Sequence, residues 1–283
     1  MVANNNTNDN FHSTITQLNI YPVKSCRGVS VKSTTLTKTG LKYDRRWIPE
    51  WLAAHAEKAT VTIFGAATGA YVFSEPCMNR VFRNFFDGKE TRLVMKDTAV
   101  PRVCLDNGSP GVMGRVVSVG FPDVLPVLIA SETSLAELNG RLEERGHPPI
   151  TFQRFRPNIV IAGGDPWSED DWKTVRVNGG ASATSWLSTL SAGYVGANSG
   201  ALDIDIAARC PRCLVPNVDP VTAAKSKHEP WDTLMKFRRV DEGEKYKPCV
   251  GMLGCPRNEG KIEVGMRFDV LATTKDHKYL KIR

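Results

Sequence analysis

Apolar and polar residues alternate along much of this chain, and a two-residue period is the mark of strands that bury one face. The pattern predicts strands over residues 14–21, 29–36, 59–64, 92–96, 125–130, 158–162, 173–177, 202–207 and 267–271. A helical period is rarer. Over 131–145, Leu135, Leu138 and Leu142 recur at three- and four-residue spacing, Ser134 and Glu137 have the spacing of a capping box, and Gly146 follows as a stop signal. A second helix is predicted over 230–239, with Pro230 in its first turn and Leu234 and Phe237 on one face. Many short strands with two or three helices predict a strand-rich α/β fold, a barrel or strongly bent sheets rather than a doubly wound parallel sheet. Neither GxGxxG nor GxxxxGK[ST] occurs, so the nucleotide-binding folds lose their usual support. Residues 179–200 hold no Lys, Arg, Asp or Glu and are rich in Gly, Ala and Ser, which predicts a long flexible hairpin insertion between two strands.

Composition narrows the function classes. The 283 residues, 41% of them hydrophobic, give room for one large domain or two modest ones. Lys and Arg number 37 against 30 Asp and Glu, a formal charge of +7 that favours anionic ligands. These cations are scattered, without a basic stripe interleaved with aromatics, so no nucleic acid partner is expected. The Asn-rich start has no apolar or Arg-rich targeting pattern and no apolar run reaches membrane length, so a soluble, cytoplasmic protein without a membrane span is expected. Seven cysteines without a secretion signal fit a reducing compartment, where thiols serve as metal ligands, nucleophiles or core residues.

Four segments carry chemistry. In Arg209-Cys210-Pro211-Arg212-Cys213, two thiols sit beside two guanidinium groups, and neighbouring cations or a metal shift a thiol toward the thiolate. Four readings compete: a redox CxxC, half of a zinc site completed by Cys249 and Cys255, a single thiolate ligand for a softer metal, or a structural pair. Lys24, Ser25 and Arg27 end a strand in one turn, a cluster suited to phosphate or to plain solvation. Tyr43-Asp44-Arg45-Arg46-Trp47 offers a planar fork for an anion, or an Asp and Arg pair at a strand edge. Arg156 and Asn158 stand at a strand entrance, where they suit either a polar heterocycle or turn chemistry.

Taken in order, the segments YPVKSC, YDRRW, SETSLAELN, FRPN and CPRC followed by VDP resemble the signature of the MOSC domain family, especially its mitochondrial amidoxime-reducing components and their bacterial relatives. The resemblance runs from about Thr14 to Leu271. It implies a MOSC β-barrel over 123–273 joined to a smaller N-terminal β-rich domain over 14–122. It also implies a molybdenum cofactor (molybdopterin) whose metal is held by Cys213, with Lys24, Ser25, Arg45, Arg156, Asn158 and Arg212 around the pterin and its phosphate. Asp123 is a weaker match. The implied reaction is reduction of N-hydroxylated compounds such as amidoximes and hydroxylamines, with cytochrome b5 and NADH-cytochrome b5 reductase as electron donors. A cofactor carrier without reductase turnover, of the molybdenum cofactor sulfurase type, is the alternative. Against the family pattern the chain is shortened after Trp47 and lengthened near 179–200.

Overall fold

The computed structural model of the protein describes residues 13–50, 58–63, 65–73, 76–89, 91–178 and 200–281. Its first part runs β1 (Ser13–Ile20), β2 (Val29–Val31), β3 (Ser33–Thr37), β4 (Gly40–Leu41), β5 (Trp47–Glu50), β6 (Lys58–Ile63), β7 (Ala66–Phe73), α1 (Pro76–Phe85), β8 (Arg92–Lys96), β9 (Arg102–Val103), α2 (Pro110–Met113) and β10 (Ser118–Val119). It continues through β11 (Val127–Ser131), α3 (Glu132–Glu143), β12 (Ile159–Ala162), β13 (Trp172–Asn178), β14 (Leu202–Pro211), α4 (Trp231–Phe237), β15 (Cys249–Pro256), β16 (Gly260–Glu263) and β17 (Arg267–Thr273).

Seven of these strands close on themselves in the order β1-β12-β11-β15-β14-β13-β17, and β17 returns to β1. Closure pairs both edges of every barrel strand, which removes the exposed ladders of an open sheet. Only β11 and β12 run parallel within the ring. The strand that closes it, β1, comes from the N-terminal region and pairs with β12 on one side and β17 on the other. Inside lie Ile15, Leu18, Ile129, Ile159, Ile161, Val175, Val177, Leu202, Ile204, Met252 and Phe268. These are the apolar positions of the alternating strands, and each fully buried aliphatic of this size contributes about 1.5–3 kcal/mol before entropy is counted.

A separate four-stranded antiparallel sheet, β5-β8-β7-β6, packs Val61, Ile63, Ala70 and Val94 around Phe121. Phe121 belongs to the loop between β10 and β11, so this small core also fixes the loop that enters the site. Two lesser sheets, β16-β3-β4 and β10-β9, complete the set.

The strand-rich barrel predicted from alternation is present, with local differences that have physical causes. The predicted strand 29–36 is two strands in different sheets: β2 pairs with β1, whereas β3 pairs with β16 and β4. Helix α3 begins after Ser131, and Ser134 and Glu137 form no capping box. Instead the Ser134 hydroxyl donates to Glu169 at 2.8 Å and accepts the Trp167 N–H at 2.7 Å, while Glu137 takes up Arg141 and the Trp167 indole. Buried tertiary partners outcompete a local cap here, because a buried hydroxyl and carboxylate must bond each other. The second predicted helix is α4, with Leu234 in the core and Phe237 beside it. Phe64, and the insertion predicted over 179–200 apart from Gly200, lie outside the described residues; β13 and β14, which that segment joins, pair antiparallel from Val177 opposite Leu202.

Candidate cofactor site

The site begins where β1 ends. Two turns are zipped together there: Arg45 N–H donates to the Tyr21 carbonyl at 2.8 Å, Arg46 N–H to Pro22 at 3.0 Å, and Lys24 N–H to Trp47 at 2.7 Å. Asp44, buried, accepts from the Tyr21 N–H at 2.8 Å and from the Arg45 guanidinium at 2.6 Å, so the Asp and Arg pair read in the sequence is real and holds the fork in place. Gly28 allows the turn to lie flat on Tyr21, since a Cβ there would meet the ring at 2.4 Å. Ser25, Arg45 and Arg156 all adopt left-handed backbone, with φ of 66°, 44° and 58°. That conformation costs a non-glycine residue about 1–2 kcal/mol, and such residues cluster at ligand clamps.

Positive charge gathers around the Tyr21 ring. The guanidinium carbons of Arg156 and Arg45 lie 4.2 and 4.7 Å from its centroid. Burial pushes the Tyr21 phenol up to about 12 although both arginines oppose that shift. Burial, and then the charge of Arg45, hold the Arg156 guanidinium below its ordinary range. Arg156 Nη1 donates to the Cys26 carbonyl at 2.6 Å, and its Nη2 is buried without a hydrogen-bond partner among the described residues. Asn158 is 1% exposed; its amide oxygen accepts from Leu128 N–H at 3.1 Å and Arg45 at 3.4 Å, and its NH2 donates to Asn19 at 3.2 Å. It thereby stitches β1 to the start of β11 beneath Arg45.

The thiols arrive from the other side. Strand β14 extends past the predicted end and carries Cys210, and Cys213 follows in an exposed turn. Between them Arg212 is buried and reaches only carbonyls, Phe155 at 2.9 Å and Val250 at 3.0 Å, with its charge over the Phe155 ring. Burial pushes the Cys210 thiol up; Arg212 opposes this, and Asp123, Cys213 and Arg45 are close enough to act on it as well. The Val218-Asp219-Pro220 turn fixes the far end of this loop. Asp219 accepts from Val221 and Thr222 N–H at 2.8 and 2.9 Å and from Arg154 at 3.0 Å, and these bonds hold it below the ordinary carboxylate range. The third wall is the loop before β11: the Lys24 ammonium donates to the Phe121 carbonyl at 3.2 Å and pairs with Asp123.

Lys24, Arg45, Asp123, Arg156, Asn158, Arg212 and the thiol pair are therefore brought together at one place on the barrel, with Ser25 exposed in the Lys24 turn. Cys249 lies opposite Pro211 in the ladder and Cys255 lies further along the same strand. Both are buried in β15, Cys255 packed with Cys104, and burial pushes the Cys249 thiol up to about 12. Among the described residues no three His, Cys, Asp or Glu side chains converge as a metal cage would require, so the zinc knuckle lacks its geometry. Nor does an α-helix open at the pair, as a thioredoxin-like motif needs; a short 3-10 turn, Val215–Asn217, follows. Sequence reasoning missed Arg102, which donates to Gly120 at 3.0 Å and to Pro122 and so brackets Phe121. Nothing in its short strand marks such a role.

Barrel, cation cluster and paired thiols together define a β-barrel protein that gathers cations and thiols at one place. The chain belongs to the MOSC domain family: residues 117–269, more than half its length, match the MOSC domain, and residues 12–51 match the MOSC N-terminal beta barrel domain. It is 26% identical over 300 residues to human mitochondrial amidoxime reducing component 2, covering 89% of this chain and 82% of that one. Human mitochondrial amidoxime-reducing component 1 is 28% identical over 304 residues, covering 89% and 81%. The molybdenum cofactor sulfurase of Arabidopsis thaliana is 28% identical over 276 residues, covering 79% of this chain but only 31% of the larger protein. Among the described residues no helix is long and apolar enough to cross a membrane.

Proposed function

We propose that the protein holds a molybdenum cofactor through Cys213 and reduces N-hydroxylated compounds such as amidoximes and hydroxylamines. The observation that carries this reading is the meeting of an exposed thiol with cations that lack a full set of partners. Among the described residues, Arg156 and Arg212 have backbone carbonyls but no carboxylate, and the buried Arg156 Nη2 has no acceptor. An orphaned buried donor costs about 1–3 kcal/mol, more when charged, and an anionic ligand relieves it. A soft thiolate beside such a cluster suits molybdenum in a sulfur-rich, phosphate-bearing cofactor.

In this reading Lys24, Ser25, Arg45, Arg156, Asn158 and Arg212 hold the pterin and its phosphate, and Asp123 orients Lys24. The bound cofactor supplies two-electron oxygen-atom chemistry. The chain supplies the thiolate, neutralises the anionic tail and keeps Arg45 aimed through Asp44 and Asn158. Residues 14–122 act as the N-terminal β-rich domain and 123–273 as the cofactor domain, with β1 shared into the barrel. Cytochrome b5 and NADH-cytochrome b5 reductase are the proposed electron donors, by likeness to the amidoxime-reducing relatives.

A second reading, a cofactor carrier without turnover, is favoured by the match to the plant sulfurase and by the short path of the chain after Trp47. Molybdenum content and benzamidoxime reduction, measured on the same preparation, separate the two. Metal with turnover is expected; metal without turnover supports the carrier, and absence of metal overturns both.

A further inference from the structure

The two thiols of the CxxC pair differ in access: Cys213 is exposed and Cys210 is half-buried. The last described residues, 274–281, lie outside both matched family segments and run beside Arg209, the residue before Cys210. This strap is fastened along its length. The His277 ring bonds the Trp172 carbonyl at 2.6 Å, and the His277 carbonyl accepts from Arg209, the residue before Cys210, at 2.8 Å. Asn107 grips it twice, donating to the Lys278 carbonyl at 2.9 Å and accepting the Leu280 N–H at 2.8 Å. Tyr279 N–H donates to Asp241 at 2.8 Å. Gly243 lies flush against it: a Cβ there would sit 1.9 Å from the Tyr279 carbonyl oxygen.

The side chain so positioned packs on the same apolar cluster as Cys210, the one formed by Cys104, Val117, Val119, Leu125, Leu128, Leu253 and Cys255. Its phenol is pushed up by burial, and of the ionisable groups near enough to act on it, Cys210, Asp106, Glu244 and Asp123, Cys210 acts most strongly. Tyr279 is half-buried there, while its neighbour Leu280 is exposed.

We propose that Tyr279 is a positioning residue: held by the strap, it withholds Cys210 from solvent and from metal and leaves Cys213 as the single available thiol of the pair. The asymmetry decides which chemistry the pair performs. Two free thiols suit zinc or a disulfide, whereas one exposed thiolate beside cations suits a single bond to a cofactor metal. The inference rests on the proposed cofactor reading only for what Cys213 holds; the shielding of Cys210 stands or falls by itself.

The test is alkylation of cofactor-free protein with iodoacetamide, read cysteine by cysteine through peptide mass spectrometry. In the wild type Cys213 is expected to react at least about tenfold faster than Cys210, in line with the steep dependence of thiol chemistry on access. Tyr279→Ala is expected to raise the Cys210 rate about tenfold with Cys213 unchanged, and Tyr279→Phe to keep it near wild type. Gly243→Ala, which displaces the strap without altering Tyr279 or any cofactor-site residue, is expected to act like Tyr279→Ala. Slow labelling of Cys104 and Cys255 marks a variant whose core is intact. The proposal is overturned if Cys210 stays slow in both strap variants, or if it already matches Cys213 in the wild type.

Discussion

Glu169 shows at a single residue how burial sets chemistry. Its carboxyl is 1% exposed, one oxygen bonded to Ser134 and the other, Oε1, without a hydrogen-bond partner. Burial raises it from an ordinary 4.5 to about 7, outweighing the Ser134 bond and the attraction of Arg238. The folded state therefore keeps a proton that the unfolded chain gives up. The associated stability is fully present below about pH 4.5 and is lost as the pH rises to about 7. A shift of this size corresponds to on the order of 3 kcal/mol. Urea midpoints across pH 5 to 8 should fall in the wild type and flatten in Glu169→Gln; parallel curves would show that the carboxyl is charged throughout. At the site itself, Arg156→Met removes the orphaned donor and its charge. Cofactor affinity is expected to fall at least about tenfold, the lower end of what a charge-assisted bond supplies. Undiminished retention after gel filtration would remove Arg156 from the anion cradle.

At the scale of elements, legibility in the sequence followed local pattern: the wholly buried β11 was readable from its apolar run, whereas β7, interrupted by glycine and alanine, was not. Strands with one wet face, such as β1, β13 and β14, alternate and were readable to within a few residues. Strand β15 was not, because all eight of its residues are buried and its glycines leave no periodic signal. Gly251 and Gly254 in it face the Ile129 carbonyl and the Ile204 side chain at 2.7 and 2.8 Å, so the glycines that hid the strand also let it pack. The capping box failed for the reverse reason: its two residues were visible, but their partners Glu169 and Trp167 lie thirty or more positions away. Asn158 is the residue on which three strands depend. Asn158→Ala leaves the Leu128 N–H and Asn19 carbonyl without their side-chain partner, at a cost of about 2–4 kcal/mol. The melting temperature should drop by about 5–10 °C. A shift of under a degree would mean that the amide is there for a ligand alone.

For the whole molecule, the site is an assembly of chain segments far apart in sequence. Positions 24, 45, 123, 156 and 212–213 meet because the barrel is closed by an N-terminal strand and because Arg102 and Phe121 pin a loop against it. No single segment announces this. The order of five motifs did, since each matches the family at its own position, while the geometry that joins them is tertiary. Part of the excess of seven positive charges gathers in the same place, where four cations face two carboxylates, Asp44 and Asp123. What remained invisible was the strap, whose hold on Cys210 depends on Asn107 and Asp241, residues with no motif.

The most direct measurement is molybdenum content, by mass spectrometry, of wild type, Cys213→Ser and Cys210→Ser purified from cells with ample molybdopterin. Metal approaching stoichiometry is expected in wild type and Cys210→Ser, and none above background in Cys213→Ser. Equal loss in both variants, or equal metal in all three proteins, would contradict the single-thiolate site.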